Sequence, residues 1–267
     1  MFNDLFNFPG SSSIKVSIKT MSLFRSGLLF IVIFCSINME LRAFAEENFT
    51  SAEKSEISKL IQQYIKNNPK IIIKSLENFQ NEENTLEKKE QIKQLNLNKA
   101  IIEQDPDDPI LGNPNGHIII VEFFDYQCGY CKRMLNILLD ISENNKDIKI
   151  ILKEYPILGP VSTLAAQASL AAKKQNKYME LHTALMQFSG RLSEPVIFQI
   201  ANEIGIDMAL LQSDISQPDI LNHLRRTKIL GQRLMIRGTP AFIINGSISP
   251  GALNKQQLLS LIDQAQQ

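Results

Sequence analysis

Cysteine is scarce in this chain of 267 residues, which has only Cys35, Cys128 and Cys131. Tryptophan is absent, histidine occurs three times, and 28 basic residues balance 28 acidic ones. No block of lysine and arginine is interleaved with aromatic residues, so the sequence gives no sign of a nucleic-acid-binding surface. With 44% hydrophobic and 21% charged residues, the composition is that of a globular protein. The length exceeds that of one typical domain.

The apolar run nearest the N-terminus is too short to span a membrane. It covers residues 28–37, about ten residues, whereas a spanning helix needs roughly twenty. Basic residues precede the run, and the small residues of "AFA" at 43–45 suit cleavage. We therefore predict a cleaved signal peptide over residues 1–45, with Met21 as an alternative start, and a periplasmic mature chain. An uncleaved anchor is the competing interpretation.

The next region, residues 46–104, is predicted to be helical. Asn67-Asn68-Pro69 interrupts the pattern, and the polar run at 81–93 lacks the sustained heptads of a coiled coil. The apolar residues at helical spacing form a stripe that is larger than a solvent-exposed helix needs, so we expect a homo-oligomer that assembles through residues 50–104. Packing of this stripe against its own chain is the alternative. Apolar residues recur there at helical spacing: Ile57, Leu60, Ile61, Tyr64, Ile65, Ile72, Leu76 and Phe79.

Residues 105–267 are predicted to form an α/β domain. The proline- and glycine-rich stretch 105–116 marks its boundary. "HIIIVEFFDY" is typical of a buried strand, a helical pattern begins at Cys128, and "DIKIILKEYPIL" at 147–158 predicts a second, parallel strand. A helical insertion follows at about 161–235. "PAFIING", a turn at Asn245-Gly246, a short strand and a helix from about residue 254 complete the predicted domain.

The two cysteines that cleavage would leave, Cys128 and Cys131, are three residues apart. A zinc site needs four ligands, and the three histidines lack the spacing to supply them. Haem attachment would need histidine where Lys132 stands. A bridge across so short a loop would remove little chain entropy. The interpretation that remains is thiol-disulfide exchange, with no metal.

The position of the pair supports redox chemistry. A sulfur at a strand-to-helix junction faces the unpaired N–H groups and the positive end of the helix dipole, which favour the thiolate. Cys128 is therefore the predicted nucleophile. Cys131, one turn further along the helix, is placed to resolve a mixed disulfide while being more enclosed.

The combination of "VEFFDYQCGYC", a helical insertion and "RGTPAFIING" resembles the DsbA-like branch of the thioredoxin superfamily over about residues 105–267. The segment from Thr50 to residue 116 is similar to the N-terminal region of Com1/ScsC-like periplasmic members. The resemblance implies a thioredoxin-like fold with an inserted helical subdomain and an N-terminal helical region. It also implies a cysteine pair that cycles between disulfide and dithiol without a dissociable cofactor.

The resemblance assigns further site residues. It implies a cis Pro240 beside the cysteines and a substrate-pairing backbone at Thr239, unless Pro240 simply starts a strand. Glu122 matches an acidic residue beneath the active site, and we expect it to be a buried proton acceptor for Cys131 with Lys153 as its partner. Gly129 and Tyr130, between the cysteines, complete the predicted substrate site.

The Gly129-Tyr130 dipeptide and the threonine before Pro240 look more like the disulfide isomerase DsbC than like the oxidase DsbA, so the direction of electron flow stays open. We expect a protein-disulfide oxidoreductase acting on cysteines of exported proteins and recycled by a membrane redox partner. An oligomeric disulfide isomerase and a chaperone-like binding module are the alternatives. His182 is assigned to helix packing or to the surface.

Overall fold

The structure is a computed structural model that describes residues 49–265, so the predicted signal peptide lies outside the described residues. The helices are α1 (Ser51–Asn67), α2 (Pro69–Leu97), α3 (Lys99–Glu103), α4 (Gly129–Asn144), α5 (Pro160–Lys173), α6 (Tyr178–Gln187), α7 (Glu194–Glu203), α8 (Met208–Asp214), α9 (Pro218–Arg233) and α10 (Lys255–Ala265). The strands are β1 (Ile110–Gly112), β2 (Ile118–Phe124), β3 (Ile148–Glu154), β4 (Ala241–Ile244) and β5 (Ser247–Pro250). Within residues 49–265 no helix is both long and apolar enough to cross a bilayer.

The described part of the chain divides into two units, with the boundary between Glu77 and Asn78. In the first unit, α1 begins at a capping box in which Thr50 and Glu53 satisfy each other's backbone N–H groups. Helix α1 ends at Asn67 with Asn68 as its C-cap, where the sequence predicted an interruption, and none of its residues is buried. Its apolar side chains, including Leu60 and Ile61, are therefore exposed to solvent.

The second unit contains a five-stranded sheet in the order β1-β3-β2-β4-β5. Strands β2 and β3 pair in parallel, and β4 runs antiparallel to β2. The β-α-β unit predicted from the sequence is therefore confirmed. The predicted second strand is too long, because Tyr155 makes a last bond to Phe124 at 3.0 Å and Pro156 has no N–H to continue the ladder.

Strand β1 was not predicted. It has only three residues, pairs antiparallel with β3, and ends at Gly112 with φ +87°. Its sequence lies within the proline- and glycine-rich stretch 105–116 and is too short to show a strand pattern. The edge of the sheet therefore lies where we expected only a domain boundary.

Alternating side chains of the central strands enter two separate cores. One face of the sheet, which includes Ile120, Phe124 and Leu152, packs under α4, the inserted helices and α10. The other face includes Val121, Phe123 and Ile151. Leu95 of α2, Ile102 of α3 and the end of α9 cover this second face. The predicted α/β class with a helical insertion is confirmed.

Candidate functional site

Cys128 and Cys131 lie where β2 gives way to α4. Cys128 is the N-cap of α4, with φ −76° and ψ 109°. Its sulfur accepts a hydrogen bond from the backbone N–H of Cys131 at 3.3 Å. Cysteine thus takes the position at which serine or aspartate usually caps a helix, and the otherwise unpaired N–H groups of the first turn face its sulfur.

The environment of Cys128 favours its thiolate. The pKa of Cys128 is lowered to about 5, chiefly by a hydrogen bond from the Cys131 thiol, with further donors at the Thr239 side chain and the backbone of Cys131 and Tyr130. Partial burial opposes this effect without cancelling it. The predicted activation of Cys128 agrees with this arrangement.

Cys131 has the opposite character. Its side chain is 1% exposed, against 6% for Cys128. Burial strongly raises the pKa of the Cys131 thiol, and the neighbouring Cys128 and Glu122 add to the effect. Both thiols are free in this structure. The pair therefore consists of one readily ionised sulfur and one that keeps its proton.

The turn before β4 meets the cysteines from the other side. The Thr239-Pro240 peptide bond is cis, as the resemblance to DsbA-like proteins implied. The thiol of Cys128 donates to the Thr239 carbonyl at 3.2 Å. Pro240 is buried and Thr239 is half-buried. Because the next residue, Ala241, pairs with Phe123 in β2, the sheet itself carries this turn to the active-site end.

The two residues between the cysteines are exposed, as a substrate-facing position requires. Gly129 borders open space, because a Cβ atom at this position would meet no atom within 4 Å. The Tyr130 side chain is 59% exposed. The guanidinium of Arg133 lies 4.2 Å from the centre of the Tyr130 ring and restricts its orientation.

Glu122 lies on the sheet face that α4 covers, and its side chain is 2% exposed. Its Oε1 atom has no hydrogen-bond partner among the described residues. Burial, aided by the charge of Cys128, raises the pKa of Glu122 to about 8. Glu122 is therefore a buried carboxyl group that gains and loses a proton near neutral pH.

The prediction that Lys153 is the partner of Glu122 is wrong. In the parallel ladder Glu122 pairs with Leu152 and Phe123 with Lys153, so the two side chains leave opposite faces of the sheet. Lys153 instead forms a buried ion pair with Asp108 and donates to the Ile101 carbonyl at 2.7 Å. A shift of one residue in the pairing of β3 with β2 would place Lys153 opposite Glu122 on the same face of the sheet.

Asp125, which the sequence analysis did not single out, holds the loop before Cys128. It is buried, and its Oδ1 accepts from the Gln127 N–H at 2.8 Å and the Ser162 hydroxyl at 2.7 Å. Its Oδ2 accepts from the N–H groups of Ile157 and Leu158, each at 2.9 Å. An aspartate directly after a buried strand was the available signal, because such a carboxylate needs several donors.

A second polar cluster links this loop to the helical insertion. Glu154 accepts hydrogen bonds from Tyr126 at 2.9 Å and Tyr178 at 2.7 Å. Tyr126 also contacts His182 Nδ1 at 3.1 Å. Burial raises the pKa of Glu154 to about 8 and lowers that of His182 to about 3. His182 is thus a neutral packing residue, in keeping with its predicted role, but within a polar network that the sequence did not indicate.

One trio of side chains within residues 49–265 has the geometry to hold a metal ion: Asp105, Asp107 and His223. Arg226 already supplies the cation. Its Nη2 lies 2.6 Å from Asp107 Oδ2, 3.6 Å from Asp105 Oδ2 and 3.3 Å from His223 Nδ1. A metal ion would have to displace this guanidinium, so the three side chains are best described as the intramolecular partners of Arg226.

The titration of Cys128 tests the proposed activation. Thiolate absorbance of the reduced protein should show an inflection at about pH 5, well below the free-thiol value of about 8.5. Replacing Cys131 by alanine removes the largest stabilising donor and should raise the Cys128 pKa. Cys131→Ser keeps a hydroxyl donor, so its effect should be smaller. An inflection of the unaltered protein near the free-thiol value would contradict the arrangement.

The stability of the disulfide form tests Glu122, because neither sulfur titrates in that form. Burial, the main cause of the raised pKa of Glu122, does not depend on the Cys128 charge, so the folded pKa stays above the unfolded value in the disulfide form. The favourable contribution of Glu122 is therefore fully present at pH 4 and is lost as pH rises through the folded pKa. Glu122→Gln should reduce this slope by up to about 1.4 kcal/mol per pH unit, measured by urea unfolding. Burial also raises the pKa of Glu154 to about 8, so Glu154 contributes a pH dependence of stability of the same sign, and this contribution should remain in Glu122→Gln. The exposed control Glu143→Gln should leave the slope intact; equal slopes in Glu122→Gln and the unaltered protein would sink the assignment.

Comparisons with known proteins agree with the fold. The family model of the DSBA-like thioredoxin domain matches residues 119–263, more than half of the chain. A thioredoxin-like oxidoreductase from Silicibacter pomeroyi DSS-3 is similar, with 38% identity, a TM-score of 0.62, and coverage of 63% of this chain and 98% of that one. A linker-deletion mutant of Proteus mirabilis ScsC, which also carries one substitution, has 26% identity and a TM-score of 0.63, and covers 83% of this chain and 99% of that one.

A periplasmic thioredoxin-like protein from Salmonella enterica serovar Typhimurium has 28% identity and a TM-score of 0.59, with coverage of 64% of this chain and 96% of that one. Among curated proteins, the Na(+)/H(+) antiporter NhaA 1 of Mycobacterium sp. (strain KMS) is 25% identical over 165 residues, which are 60% of this chain and 27% of the antiporter. The chain thus spans about a quarter of the length of the curated relatives that it matches. By its fold and by the extent of the family match, the chain belongs to the family of DSBA-like thioredoxin domains.

Proposed function

We propose that this protein is a periplasmic thiol-disulfide oxidoreductase that forms or exchanges disulfide bonds in exported proteins through Cys128 and Cys131. The observation that carries the proposal is the opposite shift of the two thiol pKa values, downward at Cys128 and upward at Cys131. A low-pKa sulfur leaves readily from a disulfide, and an enclosed one is protected from outside thiols.

The exchange proceeds in two balanced steps. A substrate thiolate attacks the Cys128 sulfur of the oxidised pair; the Cys128–Cys131 bond breaks, and a substrate–Cys128 disulfide forms. A second substrate thiolate then attacks its own bridged sulfur and releases Cys128 as a thiolate. The substrate loses two electrons as its disulfide forms, and the cysteine pair gains them. Run in reverse, the same steps reduce a substrate disulfide.

Cys131 must accept a proton when it leaves Cys128, and Glu122 is the proposed donor. Glu122 is buried, lacks a partner at Oε1 among the residues that the structure describes, and raises the pKa of Cys131 through its charge. A carboxyl group whose pKa is near 8 can supply this proton at neutral pH and take it back when Cys131 resolves a mixed disulfide.

The proposed setting is the periplasm, since a solved relative from Salmonella enterica is described as periplasmic. The substrates are exported proteins with reactive cysteines. To act as a net oxidase, the reduced pair must pass its two electrons to an oxidant, and we propose a disulfide-bearing membrane protein for this task. Thr239, Gly129 and Tyr130 are proposed to contact the substrate because they border the Cys128 sulfur or flank it in sequence.

Mixed-disulfide trapping tests the division of labour between the cysteines. When Cys131→Ala is mixed with an unfolded protein whose disulfides are intact, covalent complexes should accumulate on Cys128, because no resolving thiol remains. Cys128→Ala should form none, because Cys131 is enclosed. Non-reducing electrophoresis with mass spectrometry reads out both. Equal trapping by the two variants would reverse or abolish the assigned roles. Suppression of aggregation that survives in Cys128→Ala, without any thiol exchange by the unaltered protein, would instead favour the chaperone-like module.

An oligomeric disulfide isomerase is the second candidate, and the exposed apolar residues of the N-terminal helices favour it. Leu60 and Ile61 of α1 are 57% and 53% exposed, and Leu76 and Phe79 of α2 are 55% and 60% exposed. Single exposed apolar residues are ordinary, but a series at helical spacing marks an interaction surface. A second copy of the chain is the proposed partner, since isomerisation requires holding a misfolded protein while its bonds are exchanged, and two protomers can enclose it.

Light scattering on paired variants tests this assembly. The purified protein should have more than the mass of one chain, and Leu60→Glu/Ile61→Glu should lower its mass toward that of a monomer. Gln62→Glu/Gln63→Glu adds the same charge to the same helix and should not. Truncation at residue 105 is a poor test, because Leu95 and Ile102 belong to the second core. A monomeric unaltered protein would remove the oligomeric isomerase from consideration.

A further inference from the structure

A buried carboxylate group, that of Asp125, lies three residues before Cys128. The chain makes a tight turn over residues 125–128, in which the Cys128 N–H donates to the Asp125 carbonyl at 3.0 Å. The carboxylate closes the same turn, because its Oδ1 accepts from the Gln127 N–H at 2.8 Å. Aspartate favours the first position of such turns for this reason. The turn thereby brings Cys128 to the N-terminus of α4.

The same carboxylate attaches this turn to the start of the helical insertion. Its Oδ2 accepts from the N–H groups of Ile157 and Leu158, each at 2.9 Å, in the loop after β3. Its Oδ1 accepts from the Ser162 hydroxyl in the first turn of α5 at 2.7 Å. The Gln127 side-chain amide donates to Ser162 Oγ at 2.8 Å. One carboxylate therefore holds three separate segments of the chain together.

The hydrogen bonds of Asp125 distinguish it from Glu122. Each oxygen of the Asp125 carboxylate accepts two hydrogen bonds, whereas Glu122 Oε1 has none from the residues that the structure describes. A proton on Asp125 would displace one of these donors. The Asp125 carboxylate is therefore arranged to orient its neighbours and not to transfer a proton.

The backbone of Asp125 contacts both members of the redox pair. Its carbonyl accepts from the Cys128 N–H. Burial raises the pKa of the Cys131 thiol, and a hydrogen bond from the Asp125 backbone opposes this effect in part. The Cys131 N–H reaches the Cys128 sulfur only while Cys128 stays at the N-cap of α4. A change in the conformation of the turn would therefore alter the contacts of both sulfurs.

We propose that Asp125 is a positioning residue for the cysteine pair, whose carboxylate holds the turn 125–128 so that the Cys128 sulfur faces the first turn of α4. The inference rests on the proposed thiol-disulfide function and deepens it, because the contacts of this sulfur set the stability of its thiolate and hence the oxidising strength of the pair. Asp125 acts through geometry, since its own negative charge would repel a second one at Cys128.

The direction of the change in the Cys128 pKa separates positioning from a direct effect of charge. Asp125→Asn keeps the size of the side chain, removes its charge and places an amide donor where one acceptor oxygen was. If positioning dominates, thiolate absorbance should show the Cys128 pKa raised by about one pH unit, the size of one weakened hydrogen bond to a charged group. If charge dominates, the Cys128 pKa should fall instead, which would overturn the proposal.

The equilibrium with glutathione gives a second readout. A less stable thiolate makes the reduced protein less stable, so Asp125→Asn should shift the equilibrium about tenfold toward the disulfide form, or about 30 mV for two electrons. Ser162→Ala removes one donor to Asp125 without changing any charge, and it should move both quantities in the same direction by a smaller amount. This variant keeps the proposal testable if Asp125→Asn fails to fold.

Ser142→Ala is the matched control, because it removes a buried hydroxyl that bonds to the Leu139 carbonyl toward the other end of α4. It should lower stability without changing the Cys128 pKa or the glutathione equilibrium. If the Asp125 and Ser162 variants also lose only stability, the carboxylate merely braces the loop, and the proposal is refuted while the proposed function stands. If the unaltered protein does not exchange with glutathione, the proposed function fails, and the Cys128 pKa alone decides the role of Asp125.

Discussion

The hydrogen bond from the Cys131 N–H to the Cys128 sulfur is the contact on which the site depends. It exists because only Asp125, Tyr126 and Gln127 separate the buried strand β2 from Cys128, the N-cap of α4, so that the unpaired N–H groups of the first helical turn face the Cys128 sulfur. A serine at this position would cap the helix equally well but could not exchange electrons. The Cys128 sulfur thus both caps α4 and carries a negative charge at the N-terminus of this helix.

The alternation of the sheet sets the rest of the electrostatics. Even-numbered residues of β2 face α4, which places Glu122 below the cysteines, while odd-numbered residues of the neighbouring strands face the second core. Lys153 therefore neutralises Asp108 on the far side of the sheet, and Glu122 is left without a cation from the described part of the chain. An ion pair at Glu122 would hold it deprotonated and useless as a proton donor near neutral pH. The sheet thus separates the structural ion pair of Lys153 and Asp108 on one face from the titratable carboxyl group of Glu122 on the other.

The features that could be predicted from the sequence are those carried by local pattern. The continuous apolar run of β2 and the change to helical period at Cys128 predicted the β-α-β unit and the reactive cysteine. The resemblance to DsbA-like proteins, not the local pattern, added Thr239, Pro240 and Glu122 to the predicted site. Partners set by tertiary contact could not be found this way. Lys153 was assigned to the wrong carboxylate because its face depends on the register of β3 against β2. Asp125 and Glu154 were missed because most of their donors are distant in the chain. Three of the four donors to Asp125 lie 32 to 37 residues away, and both donors to Glu154 lie 24 to 28 residues away.

The segment 234–240 is contacted from two directions, and this bears on what the N-terminal region does. From one side, Cys128 meets Thr239; from the other, Gln91 and Glu87 meet Leu234 and Arg237. Leu95 of the same helix belongs to the core under β2 and β4. The end of α2 is therefore part of the fold that shapes the Thr239-Pro240 turn, although its sequence is polar enough to suggest a solvated helix. A substitution in α2 can therefore shift the backbone beside the reactive sulfur, because Arg237, which contacts Glu87 of α2, is only two residues before Thr239.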